Sequence, residues 1–268
     1  GVERGERFTE IVPLSKESYA GINRKTSSAK NGLLMTSFRL NGDTLSPFSD
    51  YETISNYSHS VMRGNYPQTM YHYNGVFTFR NAFSDTVYRV IPPNRFIPAY
   101  IINMGDYKIE TQEGFTPGQN ISNKLYIKEF FETKKYIYLK LIQGYDSWAN
   151  RENKKIKIYY AVYEKETGVL NRLPINPMSY FGVKDGHQSI YMKRGVINDV
   201  DGGFIFWPQK VSPAGEAYEV VLGEKLKKHI SSEQFINSSA PNNRKSELKE
   251  LAEKVKDDQL VLIVYKTN

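Results

Sequence analysis

The chain has 268 residues, with 36 Lys and Arg against 29 Asp and Glu for a net charge of +7, and a pI near 9.2. It contains no cysteine, which excludes disulfides, thiolate metal sites and a cysteine nucleophile. Its 20 Tyr and 14 Phe weight the apolar material toward residues that suit half-buried pleated surfaces, so strands are expected over helices.

The N-terminal Gly1–Arg7 stretch lacks the apolar core of a signal peptide, and no segment approaches the roughly 20 apolar residues a membrane-spanning helix needs. A start on Gly1 rather than Met implies processing or engineering, so a signal or lipid anchor is expected to have preceded it. Residues 8–48 read as a first strand group: Phe8–Val12, Tyr19–Ile22, Leu33–Leu40 and Thr44–Phe48, with Asn41-Gly42-Asp43 closing a hairpin. A polar connection covers 49–65. Four short aromatic and β-branched segments follow: Thr69–Tyr73, Val76–Arg80, Thr86–Val90 and Phe96–Ile102. The Asn74-Gly75 pair between the first two is a strong hairpin signal, because a type I′ turn needs two residues that tolerate positive φ. Four strands joined by tight turns make an up-and-down sheet, either one blade of a propeller or one wall of a sandwich.

After a Gly- and Pro-containing crossing at 106–123, a third group comprises Tyr126–Phe131, Tyr136–Ile142, Ile156–Tyr163 and Val169–Leu173, with Gly168 in the last turn. A fourth, weaker group holds Ser189–Met192, Gly195–Ile197 and Phe204–Trp207 around the turn Asp199–Gly203. Helices are predicted only late, over 216–229, with Tyr218, Val221, Leu222 and Leu226 on one face, and over 246–256, with Leu248, Leu251 and Val255 on one face and Ser246 as N-cap. Both read as peripheral helices on sheet edges. The chain closes on the β-rich run Gln259–Tyr265, which is the kind of strand a toroid lends to another blade.

Four features resemble the TolB-like six-bladed β-propeller family of unknown function, whose members abound as predicted lipoproteins of gut Bacteroidetes. They are Phe83–Tyr88, the Ile97–Gly105 strand ending in glycine, the Asn198–Pro208 segment and the terminal Leu260–Lys266. The likeness runs in order along most of the chain, and each motif in it is structural. It implies an all-β, six-bladed type of propeller, here incomplete at about four to five blades of roughly 40 to 50 residues each, as a single domain over 1–268 with two peripheral helices near the C-terminus. Members of that family are longer at the N-terminus, so the chain resembles their C-terminal two-thirds. The resemblance also places Asp199, Asp201 and Trp207 toward the pore end of an inner strand, as part of a ligand-facing patch.

Chemical signatures are sparse. Asn198–Gly203 echoes half of a calcium loop, but the later ligands are missing and Asp-Gly is first a hairpin turn, so the turn is preferred and no metal site is expected. The histidines His59, His72, His187 and His229 lack metal-ligand spacing on one element. No Gly-x-Ser-x-Gly elbow and no phosphate-cradling loop occurs. The short lysine runs, such as Lys134-Lys135 and Lys225–Lys228, are read as solvated surface, with no nucleic-acid partner. Tyr71, Tyr73, Tyr136, Tyr138, Tyr159 and Tyr160 are weighed as sugar platforms against ordinary sheet packing, and packing is preferred. Trp148, in the polar loop Asp146–Arg151, has few local apolar neighbours and is the aromatic best suited to a ligand.

The resulting expectation is a non-enzymatic cell-envelope module, in the periplasm or at the outer-membrane surface, that binds a glycan, peptide or protein. It would reach a membrane only through an N-terminal lipid anchor, and it has no cofactor and no catalytic residue assigned. The alternative is a glycan-active enzyme whose acids, such as Asp146, Asp199 and Asp201, converge at the propeller face.

Overall fold

A computed structural model describes residues 10–22, 33–49, 68–81, 83–92, 95–110, 113, 121–144, 156–173, 195–198 and 200–265. The chain divides into two compact units, one comprising Gly1–Phe130 and Leu139–Tyr159, the other Phe131–Tyr138 and Tyr160–Asn268.

In the first unit, β1 (Glu10–Pro13), β2 (Ser18–Ile22), β3 (Leu33–Arg39) and β4 (Thr44–Ser49) form one antiparallel sheet in sequential order. β5 (Thr69–Tyr73), β6 (Val76–Arg80), β7 (Thr86–Ile91) and β8 (Arg95–Ile101) form a second in the same way. The predicted hairpin is present: Tyr73 pairs with Val76, and Asn74 and Gly75 adopt φ of 50° and 74°, the left-handed pair a two-residue turn requires. Alternation then separates the faces. One face of the second sheet carries Phe77, Phe79 and Val90, which share a core with Leu14, Ala20, Ile22 and Met35 of the first sheet region. The other carries the row Tyr71, Thr78, Arg89, whose members are cross-strand neighbours.

Arg80 is fully buried in this unit. Its guanidinium donates to the Thr69 hydroxyl at 3.3 Å and to the carbonyls of Asn81 at 2.8 Å, Ser84 at 3.1 Å and Ile127 at 3.2 Å. Burial pushes its pKa down to about 10. The planar fork thus gathers carbonyls from a strand end, a turn and a distant strand, a task suited to five fixed donors.

A third antiparallel sheet runs in the order β12-β11-β10-β9, from β9 (Leu125–Glu132), β10 (Tyr136–Gln143), β11 (Lys157–Glu164) and β12 (Leu170–Arg172). Gly168, at φ 72°, closes its last hairpin as predicted. In the second unit, β13 (Val196–Asn198) pairs with β14 (Phe204–Phe206), and β15 (Lys210–Val211), β16 (Ala217–Leu222) and β17 (Leu260–Tyr265) form an antiparallel sheet in that order. Between β16 and β17 lie α1 (Gly223–Ile230), α2 (Glu233–Ile236) and α3 (Asn242–Lys254). The described residues are therefore all-β in their sheets, with three short α-helices between β16 and β17 and a 3-10 turn at Gly105–Tyr107. The expected strand Ser189–Met192 lies outside the described residues.

The late elements correct the sequence reading in four ways. Residues 217–222 are strand rather than helix: Ala217, Glu219 and Val221 are buried at period two, and the β-branched Val220-Val221 pair suits a pleat. Helix α1 begins only at Gly223. The helices do not sit on sheet edges. They cover one face of the terminal sheet, where Leu226, Phe235, Leu248 and Ala252 pack with Val221 and Val261. Ser246 falls inside α3, whose N-cap position is Pro241. Leu248 and Val255 are buried as expected, and Leu251 is exposed.

Nor is the last strand lent to an earlier sheet. β17 pairs along its whole length with β16, from Ala217↔Tyr265 to Leu222↔Leu260. The turn into α1 fixes this. Gly223 N–H donates to the Gln259 carbonyl at 2.8 Å and Glu224 N–H to Asp257 at 3.0 Å. A Cβ on Gly223 would sit 2.0 Å from the Lys256 carbonyl oxygen, so only glycine lets the two ends of the helical excursion approach this closely.

Candidate functional site

Of the four residues expected at a ligand face, Trp148 and Asp199 lie outside the described residues, and Asp201 and Trp207 are buried. Asp201 lies within the β13–β14 turn. Its carboxylate accepts from Asn198 Nδ2 at 2.8 Å and from Arg244 Nε of α3 at 2.9 Å, and its carbonyl accepts from His229 Nε2 of α1 at 3.0 Å. The two following glycines have φ of 75° and 84°. A Cβ on Gly202 would lie 2.4 Å from the Phe235 ring, and one on Gly203 would lie 2.7 Å from Gln234 Nε2, which donates to the Gly203 carbonyl at 2.7 Å. Asn198–Gly203 is thus a turn seated under α2, with Gly203 N–H closing on the Asn198 carbonyl at 2.7 Å.

The ring of His229 stands edge-on to Phe204 and Phe235. Burial lowers its pKa, with the Asp201 carbonyl and charge acting weakly the other way. Arg244 also bonds Glu247 at 2.9 Å. This network joins one hairpin turn to all three helices, and neither Arg244 nor His229 carried a sequence signal for that role, because the contacts are long-range.

Trp207 stands perpendicular to Tyr160 at 4.7 Å and to Tyr138 at 5.6 Å. Burial, with Tyr136 nearby, raises the Tyr138 phenol well above its usual pKa. These tyrosines are packing residues, as preferred from the sequence. In the first unit, Arg89 lies over the rings of Tyr73 and Tyr100 at 5.2 and 5.7 Å and donates to the Thr78 hydroxyl. Tyr71 stacks on Phe130.

The most distinctive surface is on the terminal sheet. β17 is apolar on both faces, which in a strand signals cover on both sides. One face has that cover: Val261 is buried against the helices, with Ile263 packed beside it. On the other, Leu260, Leu262 and Val264 are 68%, 60% and 45% exposed, and Leu222, the cross-strand partner of Leu260, is 47% exposed. Half-buried Tyr218 and Val220 continue this face on β16. β17 is also the edge of its sheet among the described residues. These side chains form a contiguous exposed aliphatic surface.

A family model described as a domain of unknown function (DUF4933) matches residues 5–232. No significant match to the chain is found among curated proteins or among solved structures. With the greater part of its length matched, the chain belongs to the family of this domain of unknown function.

Proposed function

We propose that the chain is a non-enzymatic protein-interaction module of the cell envelope, built as a propeller of successive up-and-down blades, and that it engages a partner through the outer face of the terminal sheet. The observation that carries this reading is the exposure of Leu222, Leu260, Leu262 and Val264 together on one sheet face. That face offers mainly aliphatic side chains, with the half-buried Tyr218 phenol as a polar group beside them. It therefore suits the apolar side chains of a protein better than a glycan, whose hydroxyls need donors and acceptors. Covering it adds about 1 kcal/mol for each of four half-exposed side chains. The blade arrangement is supported by sheets that each run in sequential order, and the envelope location by the family resemblance of the sequence.

Engagement of Asp201 by Arg244 and Asn198 supports binding over acid–base chemistry at that residue. A photo-crosslinking amino acid at Leu222 in cells is expected to give a discrete adduct, while the same group at Glu250, exposed on α3, gives none. Equal labelling at both positions removes the proposal. Fractionation of the same cells tests the envelope location.

A further inference from the structure

We infer that the edge of β17, unpaired among the described residues, pairs with β17 of a second copy of this chain, through an antiparallel ladder centred on Leu262. The inference deepens the interaction reading and concerns the strand edge, whereas the proposed partner face is the sheet surface.

The backbone groups that point outward from β17 set its pairing capacity. Gly223 and Gln259 exchange a backbone hydrogen bond one step beyond the Leu222↔Leu260 pair. In an antiparallel ladder, hydrogen-bonded pairs alternate with non-bonded ones. Val261, Ile263 and Tyr265 therefore direct their N–H and C=O groups to β16, and Leu260, Leu262 and Val264 direct theirs to the free edge. The other side of β16 obeys the same alternation: the Val220 N–H and C=O groups are taken by the side-chain amide of Gln209, at 3.1 and 3.3 Å.

Three outward residues at period two are self-complementary about a two-fold axis. With Leu262 opposite its own copy, Leu260 of one chain pairs with Val264 of the other, and all three outward residues become hydrogen-bonded pairs. Pairings of this parity also keep the exposed side chains of both copies on one face. A shift by one residue places them on opposite faces and aims the donors past each other. The six residues of β17 include no charge, proline or glycine, the residue types that commonly protect a solitary edge.

The absence of cysteine makes the test direct. Sedimentation equilibrium of the full chain, from about 1 to 100 μM, is expected to show a monomer–dimer equilibrium that Leu262→Lys shifts fully to monomer without changing the far-UV spectrum. Leu262→Cys places two thiols across the axis with Cα atoms about 5.5 Å apart, within disulfide reach, and it should oxidise to a covalent dimer. Leu260→Cys places them about 14 Å apart along the strand and should not. A monomeric wild type, or equal oxidation of both variants, overturns the inference. A monomer that still gives the Leu222 adduct with another protein overturns the self-pairing alone, and loss of both signals overturns the interaction reading as well.

Discussion

Arg244 Nε donates to Asp201 Oδ1 at 2.9 Å across 43 residues of sequence, so a residue on the first turn of α3 holds a buried carboxylate in the β13–β14 turn. The arginine is partly solvated and the aspartate is not. Arg244→Ala should therefore cost only about 1 kcal/mol, whereas Asp201→Ala, which also strands the amide of Asn198, should cost about 1–3 kcal/mol. Urea unfolding of the two single variants and the double variant measures the coupling, and additive losses would show that the pair contributes nothing of its own.

Gly202 and Gly42 share a left-handed backbone, with φ of 75° and 88°, but differ in surroundings. A Cβ at Gly42 meets nothing within 4 Å, and one at Gly202 meets the Phe235 ring at 2.4 Å. Gly42→Ala should cost about 1 kcal/mol from backbone conformation alone. Gly202→Ala should cost at least about 2 kcal/mol, because α2 must also shift. Thermal melts of the two variants make the comparison, and equal losses would mean that α2 yields freely.

The lowered pKa of His229 fixes the sign of a pH effect. Its folded-state value lies below the ordinary 6.5 because the ring is half-buried against Phe204 and Phe235. As pH falls below 6.5, the unfolded chain takes up the proton first, so the stability is complete above that value and is lost as pH falls toward and through the folded-state pKa. Melting temperature should drop between pH 7 and 5. His229→Gln, which retains an N–H donor for the Asp201 carbonyl, should flatten that part of the profile.

Arg80 anchors three carbonyls and one hydroxyl from inside the first unit. Arg80→Met fills much of the same volume but leaves those acceptors without the guanidinium, so a loss of about 3 kcal/mol is expected. Arg80→Lys should restore little, since an ammonium cannot span the spread of acceptors that the planar fork reaches. Denaturant midpoints for the two variants decide the matter, and full rescue by lysine would show that charge rather than shape is what the site requires.

The hairpins were legible because their signals are local. Asn74-Gly75 and Gly168 state their backbone conformations in the residues themselves, and the strands beside them alternate within a few positions. Residues 216–229 misled because Tyr218, Val221 and Leu222 satisfy a helical spacing as well as a pleated one, and only the neighbouring strand β17 selects the latter. The candidate site was less legible still. Asp201 and Trp207 look like exposed chemistry in a linear reading, and it is Arg244, Tyr138 and Tyr160, distant in sequence, that turn them inward.

Composition and short-range pattern alone determined that this chain is built from antiparallel hairpins, that it contains no thiol chemistry, and that its final segment is a strand. Tertiary structure decided which strand that segment joins, which of its two apolar faces the helices cover, and which is left to solvent. The physical reason is that Leu260–Tyr265 is equally hydrophobic on both sides. A period-two pattern with no polar phase specifies a strand but not an inside, and the inside is set by the packing of Val221, Leu226, Phe235 and Leu248 against one face.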